Sequence, residues 1–210
     1  AKNVSVVFDQ RVARGFVGHL AGAINGASVA RKTSFLRDMM GKQVLASGLS
    51  LTDDPLIRRG SASRPFDGEG VTGRRLAMVE DGILKHWFLS TSTARQLGLK
   101  TNGRGVRGGT AVSPASTNLA LEPGDVSPEE LIRSVGTGFY VTELIGQGVD
   151  MVTGEYSRGA SGYWIENGEL TFAVSEVTIA SNLADMFLRI TPASDIDRSS
   201  LTGESLPETV

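Results

Sequence analysis

The features that most constrain this chain are two tight-turn dipeptides, each set between strand-like runs. Asp81-Gly82 lies inside RRLAMVEDGILKHWFL, residues 74–89, and Asn167-Gly168 lies inside SGYWIENGELTF. Both pairs tolerate the positive φ angles of a two-residue hairpin turn, which makes the flanking strands antiparallel neighbours. The sequence therefore predicts two antiparallel hairpins.

Four segments are predicted to be helical, at about residues 10–24, 90–99, 127–136 and 180–190. Asp9 offers an N-cap for the first helix, and SPEELIRSVG begins the third with a capping box and ends at a glycine. Strand-like runs fill much of the remaining chain. The order of elements predicts an α+β fold made mostly of antiparallel β-sheet with a few helices.

The first predicted helix contains FVGHLAGAIN, in which His19 stands alone among small and aliphatic residues. Gly15, Gly18 and Gly22 weaken this helix and indicate that another element approaches it closely. His19 has no second histidine at helical spacing, so a zinc site here would have to recruit carboxylates. The residues leave His19 open as a metal ligand, a base or an ordinary packed histidine.

Overall charge and composition exclude several classes of function. Lys and Arg total 21 against 23 Asp and Glu, which provides no basic field for nucleic acid or an anionic membrane. No apolar run approaches the roughly 20 residues that span a bilayer. The chain has no cysteine, which excludes disulfides and thiolate ligands and favours the cytoplasm.

Residues 101–118 are rich in glycine, serine and threonine, and we expect them to form a long surface loop. GRGVRG has the spacing of a phosphate-binding loop, but no strand precedes it and Pro114 prevents the helix that should follow. Arg104 and Arg107 are instead predicted to be loop contacts that meet a carboxylate or a partner.

The carboxylates show no convergent acid and base. Asp53-Asp54 and Glu129-Glu130 are interpreted as loop and cap residues. Four glutamates fall in or beside strands, where solvent-facing positions are expected, although a functional role stays open for them. They are Glu143, Glu155, Glu166 and Glu176. His86, in KHWFL, is interpreted as a cross-strand packing residue.

Several blocks of the sequence resemble the TldD/PmbA family of metalloproteases, once described as modulators of DNA gyrase. They include GFVGHLAGAINGASVARKTSFL, FDGEG, TNLALEPGDVSPEEL and GTGFYVTELIGQGVDMVTGEYSRGASGYWIENGEL. The likeness is greatest to the PmbA (TldE) branch. It covers residues 1–210 as a single C-terminal domain of that family, without the separate N-terminal domain.

In the TldD branch the first helix carries His-Glu-x-x-x-His, which holds zinc and activates water. Aligned on Arg31-Lys32, Gly18 and Ala23 fall at the two histidine positions and His19 falls at the glutamate position. The resemblance thus implies a degenerate zinc motif, no catalytic residue and no cofactor in this chain. His19 becomes a remnant of a lost active site.

The resemblance also implies a two-component zinc metalloprotease that acts on unfolded or small peptides, in peptide maturation and antitoxin degradation. A TldD-like partner would supply the zinc, and this chain would be its non-catalytic subunit, with a homodimer plausible in isolation. We expect Ser157, Gly159, Ala160 and Ser161 to leave room for a peptide backbone. A plain structural hairpin is the other interpretation of this stretch.

Two other functions stay open. The chain could be a stand-alone module that binds peptides or a regulatory partner without protease activity. It could also be an independent enzyme that uses carboxylates such as Glu143 or Glu166 with a labile metal.

Overall fold

The computed structural model describes residues 3–195 and 204–205, and its architecture is α+β and mostly antiparallel, which confirms the prediction. The described strands are β1 (Ser5–Phe8), β2 (Leu51–Asp54), β3 (Leu76–Glu80), β4 (Ile83–Leu84), β5 (Gly105–Gly108), β6 (Ala111–Pro114), β7 (Asn118–Leu121), β8 (Gly138–Ile145), β9 (Glu155–Glu166), β10 (Glu169–Asn182) and β11 (Glu204–Ser205). The described helices are α1 (Gln10–Ala23), α2 (Gly26–Ala30), α3 (Thr91–Gln96), α4 (Pro128–Val135) and α5 (Leu183–Arg189).

The strands form two larger sheets and one separate hairpin. The four-stranded sheet has the order β1-β8-β9-β10, the five-stranded sheet has the order β11-β7-β2-β3-β4, and β5 pairs with β6. Only the pairs β1–β8 and β11–β7 are parallel among the described strands. The antiparallel character follows from the short hairpin connections.

Both predicted hairpin turns are confirmed. Asp81 and Gly82 join β3 to β4 with φ of 48° and 76°, and Asn167 and Gly168 join β9 to β10 with φ of 53° and 78°. Positive φ at both central residues matches the right-handed twist of the paired strands.

The arm after Asp81-Gly82 is shorter than predicted, so His86 does not lie in a strand. The backbone N–H groups of Lys85 and His86 both donate to the carbonyl of Met78, which ends the regular ladder after β4. The chain then turns towards α1, where the N–H of Phe88 donates to the carbonyl of Ile24.

The four predicted helices are present with small changes at their ends. Asp9 caps α1, and capping boxes at Ser90 and Ser127 begin α3 and α4. Helix α5 starts later than predicted, because residues 180–182 continue β10. One strand-like run was misread, since residues 150–153 form a turn capped by the Asp150 carboxylate.

The described buried side chains form one large core and one smaller cluster. Phe16 and Leu20 on α1 join a core that also contains Tyr156 from the four-stranded sheet and Met78 from the five-stranded sheet. The smaller cluster, which includes Leu131 of α4, packs with Val7, Ile165 and Ala193. No helix in the described part of the chain is long and apolar enough to cross a membrane.

The glycines of α1 were expected to mark a close approach, and for two of them this is wrong. A Cβ added at Gly15 would meet no atom within 4 Å, and one at Gly22 would meet the methyl group of Met151 at an ordinary 3.5 Å. These glycines therefore weaken α1 without making room for a neighbour.

We expect Gly15→Ala to raise the free energy of unfolding by about 0.5–1 kcal/mol, because alanine is the better helix former and the site is open. Urea denaturation of the purified chain measures this change. Gly26→Ala in α2 is the matched control and should destabilise the fold, since its Cβ would lie 2.5 Å from the Phe88 carbonyl. A destabilising Gly15→Ala would contradict the account.

Residues 101–118 do not form the predicted surface loop, since they contain β5 and β6. Arg104 is fully buried rather than exposed, and it pairs with the equally buried Asp53 of β2 through its Nε. Asp53 was interpreted as a loop residue, which is also wrong. Its neighbour Leu51 is buried on the same face of β2, as a strand period of two requires.

The Asp53–Arg104 pair is completed by other hydrogen bonds. Arg104 also donates to the carbonyls of Asn102 and Arg74 at 2.9 Å and 2.8 Å. Thr117 donates to Asp53 through its backbone N–H at 2.6 Å and its hydroxyl at 2.9 Å. Each charge is thus offset and hydrogen-bonded, the condition under which burial is tolerated.

Arg104→Met should lower the free energy of unfolding by about 3–5 kcal/mol, because it leaves the Asp53 carboxylate buried without its cation. The control is Arg107→Met on the same hairpin, where an exposed arginine should change stability by less than about 0.5 kcal/mol. Denaturant unfolding compares the two. Equal effects would show that the ion pair does not support the fold.

Candidate functional site

The three positions at which the resemblance implies a degenerate zinc motif lie together near the C-terminal end of α1. Ala23 is buried in the core, while Gly18 and His19 are half-buried. Zinc needs three or four side-chain ligands, and glycine and alanine provide none. The described residues hold no group of three or more His, Cys, Asp or Glu side chains that could bind a metal ion. These three positions therefore offer one imidazole as a possible metal ligand.

His19 packs among aromatic rings. Its imidazole contacts the ring of Phe16, one turn earlier on α1, and the ring of Tyr156 on β9. Both contacts are edge-on, with ring centroids 6.5 Å and 6.4 Å apart. Burial lowers the pKa of His19 below its usual value, and the charge of Arg158 lowers it further. The imidazole is therefore neutral at neutral pH.

Tyr156 and Arg158 on β9 each have a buried hydrogen-bond donor without a partner. The Tyr156 side chain is 2% exposed, and its hydroxyl has no hydrogen-bond partner. Burial raises the pKa of this hydroxyl to about 12, against an opposing effect of Arg158. The buried Nε of Arg158 also lacks a partner, while its Nη2 donates to the Leu144 carbonyl at 3.4 Å. We call His19, Tyr156 and Arg158 the α1–β9 cluster.

The four predicted peptide-groove residues are neighbours on β9, which is an inner strand. Gly159 pairs with Ile145 of β8 on one side and with Thr178 of β10 on the other. Ala160 is likewise paired on both sides, and Ser161 pairs with Glu143 of β8. Ser157 pairs with Ala180 of β10, and its backbone N–H donates to the Gly148 carbonyl at 2.7 Å on the other side. An added peptide strand therefore cannot pair directly with β9.

One edge strand of the four-stranded sheet is β10, and the short β1 lies at the other edge. Strand β10 pairs with β9 alone among the described strands, and most of its residues are exposed. Its C-terminal half borders a cavity of about 1140 Å³ between the sheet, α1 and α5. Phe139, Trp164, Val177 and Ile179 line this cavity with apolar surface, and Asp185 and Arg189 of α5 add charge.

The other predicted positions lie away from the α1–β9 cluster. The buried Arg104 binds Asp53, whereas the exposed Arg107 contacts the Gly68 carbonyl at 3.3 Å. His86 is half-buried; burial lowers its pKa, and the charges of Arg74 and Arg104 lower it further. The four strand glutamates all have the exposed placement that was expected: Glu143, Glu155, Glu166 and Glu176.

Tyr156 and Arg158 were not singled out from the sequence. They share one face of β9 with the buried Ala160, because alternate residues of a strand point the same way. That period-two pattern was available in the sequence. It could not indicate that α1 covers this face, which depends on a contact between distant segments.

Comparisons with known proteins agree on one family. Residues 1–207 match the family described as PmbA/TldA metallopeptidase C-terminal domain. Metalloprotease PmbA of Escherichia coli O157:H7 is 47% identical over 196 residues, which cover 93% of this chain and 42% of that protein. This chain thus spans less than half the length of that relative.

Solved structures have the same fold. A Thermotoga maritima protein named as a modulator of a DNA gyrase matches with a TM-score of 0.87 and 31% identity, over 97% of this chain and 47% of its own. TldE from Thermococcus kodakarensis matches with a TM-score of 0.85 and 21% identity, over 100% of this chain and 50% of its own. The second likeness concerns the fold alone.

The lowered pKa of His19 predicts a pH dependence of stability. The unfolded chain takes up this proton first as pH falls, so the free energy of unfolding should be greatest above about pH 7 and decrease below about pH 6.5. His86 adds an effect of the same sign.

Urea unfolding at pH 7.5 and pH 5.5 measures this slope. His19→Gln should remove one part of it and His86→Gln a separate part. A slope that His19→Gln leaves unchanged would contradict the placement of His19.

Proposed function

Because the chain belongs to the PmbA/TldD metallopeptidase family, we propose that it is the zinc-free subunit of a two-component peptidase. A TldD-like partner supplies the zinc and the activated water. The assembly cleaves unfolded or small peptides in the cytoplasm, for peptide maturation and antitoxin degradation. This subunit shapes the peptide-binding chamber.

One observation supports the proposal: the fold matches that of a solved relative over 97% of this chain, while the positions where the resemblance implies a degenerate zinc motif are Gly18, His19 and Ala23 on α1. Loss of two ligands would remove the metal site, because backbone groups and a single imidazole cannot hold zinc at a catalytic centre. Retention of the surrounding fold favours a role in assembly and substrate binding.

The edge of β10 is the surface that we assign to peptide binding, in place of the enclosed main chain of β9. An unfolded peptide could add as a further strand, with main-chain hydrogen bonds that tolerate any sequence. The cavity beside β10 would accept its apolar side chains, with Trp164 and Ile179 in its wall. The neighbouring strand β9 would then lie on the other side of β10 from the peptide, and it contains Ser157, Gly159, Ala160 and Ser161.

The tip of the β9–β10 hairpin suits contact with a partner subunit or a second copy. Tyr163, Leu170 and Phe172 are 42%, 43% and 56% exposed there. Large apolar side chains gathered at the end of an exposed edge strand favour association. This observation supports both the TldD-like heteromer and a homodimer of the isolated protein.

The direct test is hydrolysis of an unfolded peptide by a zinc-bearing TldD-like protein while purified protein carrying this chain is added. We expect the rate to rise and to level off near equal amounts of the two subunits. The chain alone should cleave nothing. Phe172→Asp should weaken the stimulation, whereas Leu99→Asp, at an apolar residue that is 48% exposed and lies outside this hairpin, serves as the control.

Other outcomes favour the alternatives. A hydrolysis rate that does not change when the chain is added, together with retained peptide binding, would replace the subunit proposal with that of a stand-alone binding module. Hydrolysis by the chain alone that a chelator abolishes would instead favour an independent metal-dependent enzyme.

A further inference from the structure

We propose that two copies of this chain associate through two oppositely charged surfaces. One is the segment that joins β2 to β3, residues 55–75, which we call the arginine loop. The other is the end of the β9–β10 hairpin, residues 163–172, which we call the acidic tip. The inference goes beyond the proposed function, because it concerns contact between copies of this chain and does not depend on a zinc-bearing subunit.

The arginine loop concentrates positive charge at the protein surface. It holds five arginines and no lysine, against one aspartate and one glutamate, so its net charge is +3 in a chain whose net charge is −2. Four of the arginines are exposed, as the adjacent pairs Arg58-Arg59 and Arg74-Arg75, and no salt bridge within the described residues involves them. Arginine is enriched and lysine is depleted at protein interfaces, so this composition is typical of a contact surface.

The two acidic residues of the arginine loop hold its shape. Asp67 is buried, and its carboxylate accepts hydrogen bonds from the backbone N–H groups of Glu69, Val71 and Gly105 at 2.9 Å, 3.0 Å and 2.8 Å. The Glu69 carboxylate accepts from the backbone N–H of Thr91 at 2.7 Å. The carboxylates of the loop are therefore engaged with the backbone, while the exposed arginines have no partner of opposite charge from the loop itself.

The arginine loop is ordered despite its length. Loops of more than about 12–15 residues without secondary structure are uncommon in compact domains and are usually functional when they are ordered. The two ends of this loop contact each other, since a Cβ added at Gly73 would lie 2.8 Å from the Pro55 ring. The N–H of Gly68 donates to the Gly105 carbonyl at 2.7 Å, which fixes the middle of the loop to β5. A surface that is already ordered loses less entropy on binding.

The acidic tip carries the complementary charge. It has two glutamates and no cationic residue, so its net charge is −2. Glu166 and Glu169 are exposed and lie directly opposite each other in the pairing of β9 with β10, where like charges destabilise a hairpin. No salt bridge within the described part of the chain joins either glutamate to a cation. An arginine pair from a second copy would offset this repulsion.

Apolar side chains accompany the charges on both surfaces. Leu56, Ile57 and Phe66 of the arginine loop are 59%, 47% and 59% exposed, and the acidic tip exposes Tyr163 and Phe172. Apolar side chains gathered among charged residues mark contact sites for proteins rather than for small anions. A second copy of the chain matches both surfaces at once, because a two-fold arrangement lets each loop contact the tip of the other copy.

Sedimentation velocity of the purified chain measures this association. We expect the unaltered chain to dimerise, and the dimer to weaken as NaCl rises from about 0.05 M to about 0.5 M, because salt screens exposed charges. Reversal of the loop charge by Arg58→Glu with Arg59→Glu should weaken dimerisation by roughly a hundredfold or more, since like charges would then face each other. Reversal of the tip charge by Glu166→Arg with Glu169→Arg should have the same effect.

A mixture of the two charge-reversed proteins tests which surfaces meet. The mixture should form a mixed dimer about as tight as that of the unaltered chain, because every loop then faces a tip of opposite charge. The matched control is Arg31→Glu with Lys32→Glu, another exposed pair of adjacent cations whose second residue, like Arg59, has a positive φ. This control should leave dimerisation unchanged.

The proposal is overturned if the unaltered chain is monomeric up to its highest soluble concentration, if the control weakens the dimer as much as the loop reversal, or if the two reversed proteins do not associate when mixed. Urea unfolding checks that each variant folds, and Arg74→Glu with Arg75→Glu replaces a loop reversal that does not. The assay contains neither a zinc-bearing protein nor a peptide. Its failure is therefore distinct from a failure of the subunit proposal, which depends on stimulated hydrolysis.

Discussion

The buried ion pair between Asp53 and Arg104 is the constraint on which the rest of the fold depends. It fixes the start of the β5–β6 hairpin to the centre of the five-stranded sheet, and Thr117 brings β7 to the same carboxylate. The hairpin in turn contacts the junction between α1 and α2, since Asn25, the N-cap residue of α2, donates to the Pro114 carbonyl at 2.7 Å. The buried charge pair is thus connected, through the β5–β6 hairpin, to the segment that follows α1.

The contacts that hold α1 bear on the proposed function. The segment that follows the helix is tied to the β5–β6 hairpin, and the middle of the helix packs on Tyr156 of the four-stranded sheet. In a metallopeptidase family, a helix so held is well suited to carry zinc ligands, yet here it offers His19 alone between Gly18 and Ala23. The helix and the exposed β10 edge are the features on which the proposed peptide-binding role depends.

Local signals in the sequence predicted the elements with local causes. Asp81-Gly82, Asn167-Gly168 and the Ser127 capping box each act within a few residues, so the turns and helix starts were confirmed. The predictions that were wrong concern residues whose burial depends on partners far away in the sequence. Arg104 was interpreted as exposed because its partner Asp53 is 51 residues away. The α1–β9 cluster was missed for the same reason, since its residues come from segments that lie far apart in the sequence.

The zinc content of the assembled peptidase tests the central claim most directly. Purified complex of the TldD-like protein with this chain should contain one zinc ion per pair of subunits, and His19→Ala should leave that ratio unchanged. Two zinc ions per pair, or loss of zinc in His19→Ala, would contradict the account, because this chain would then hold metal itself.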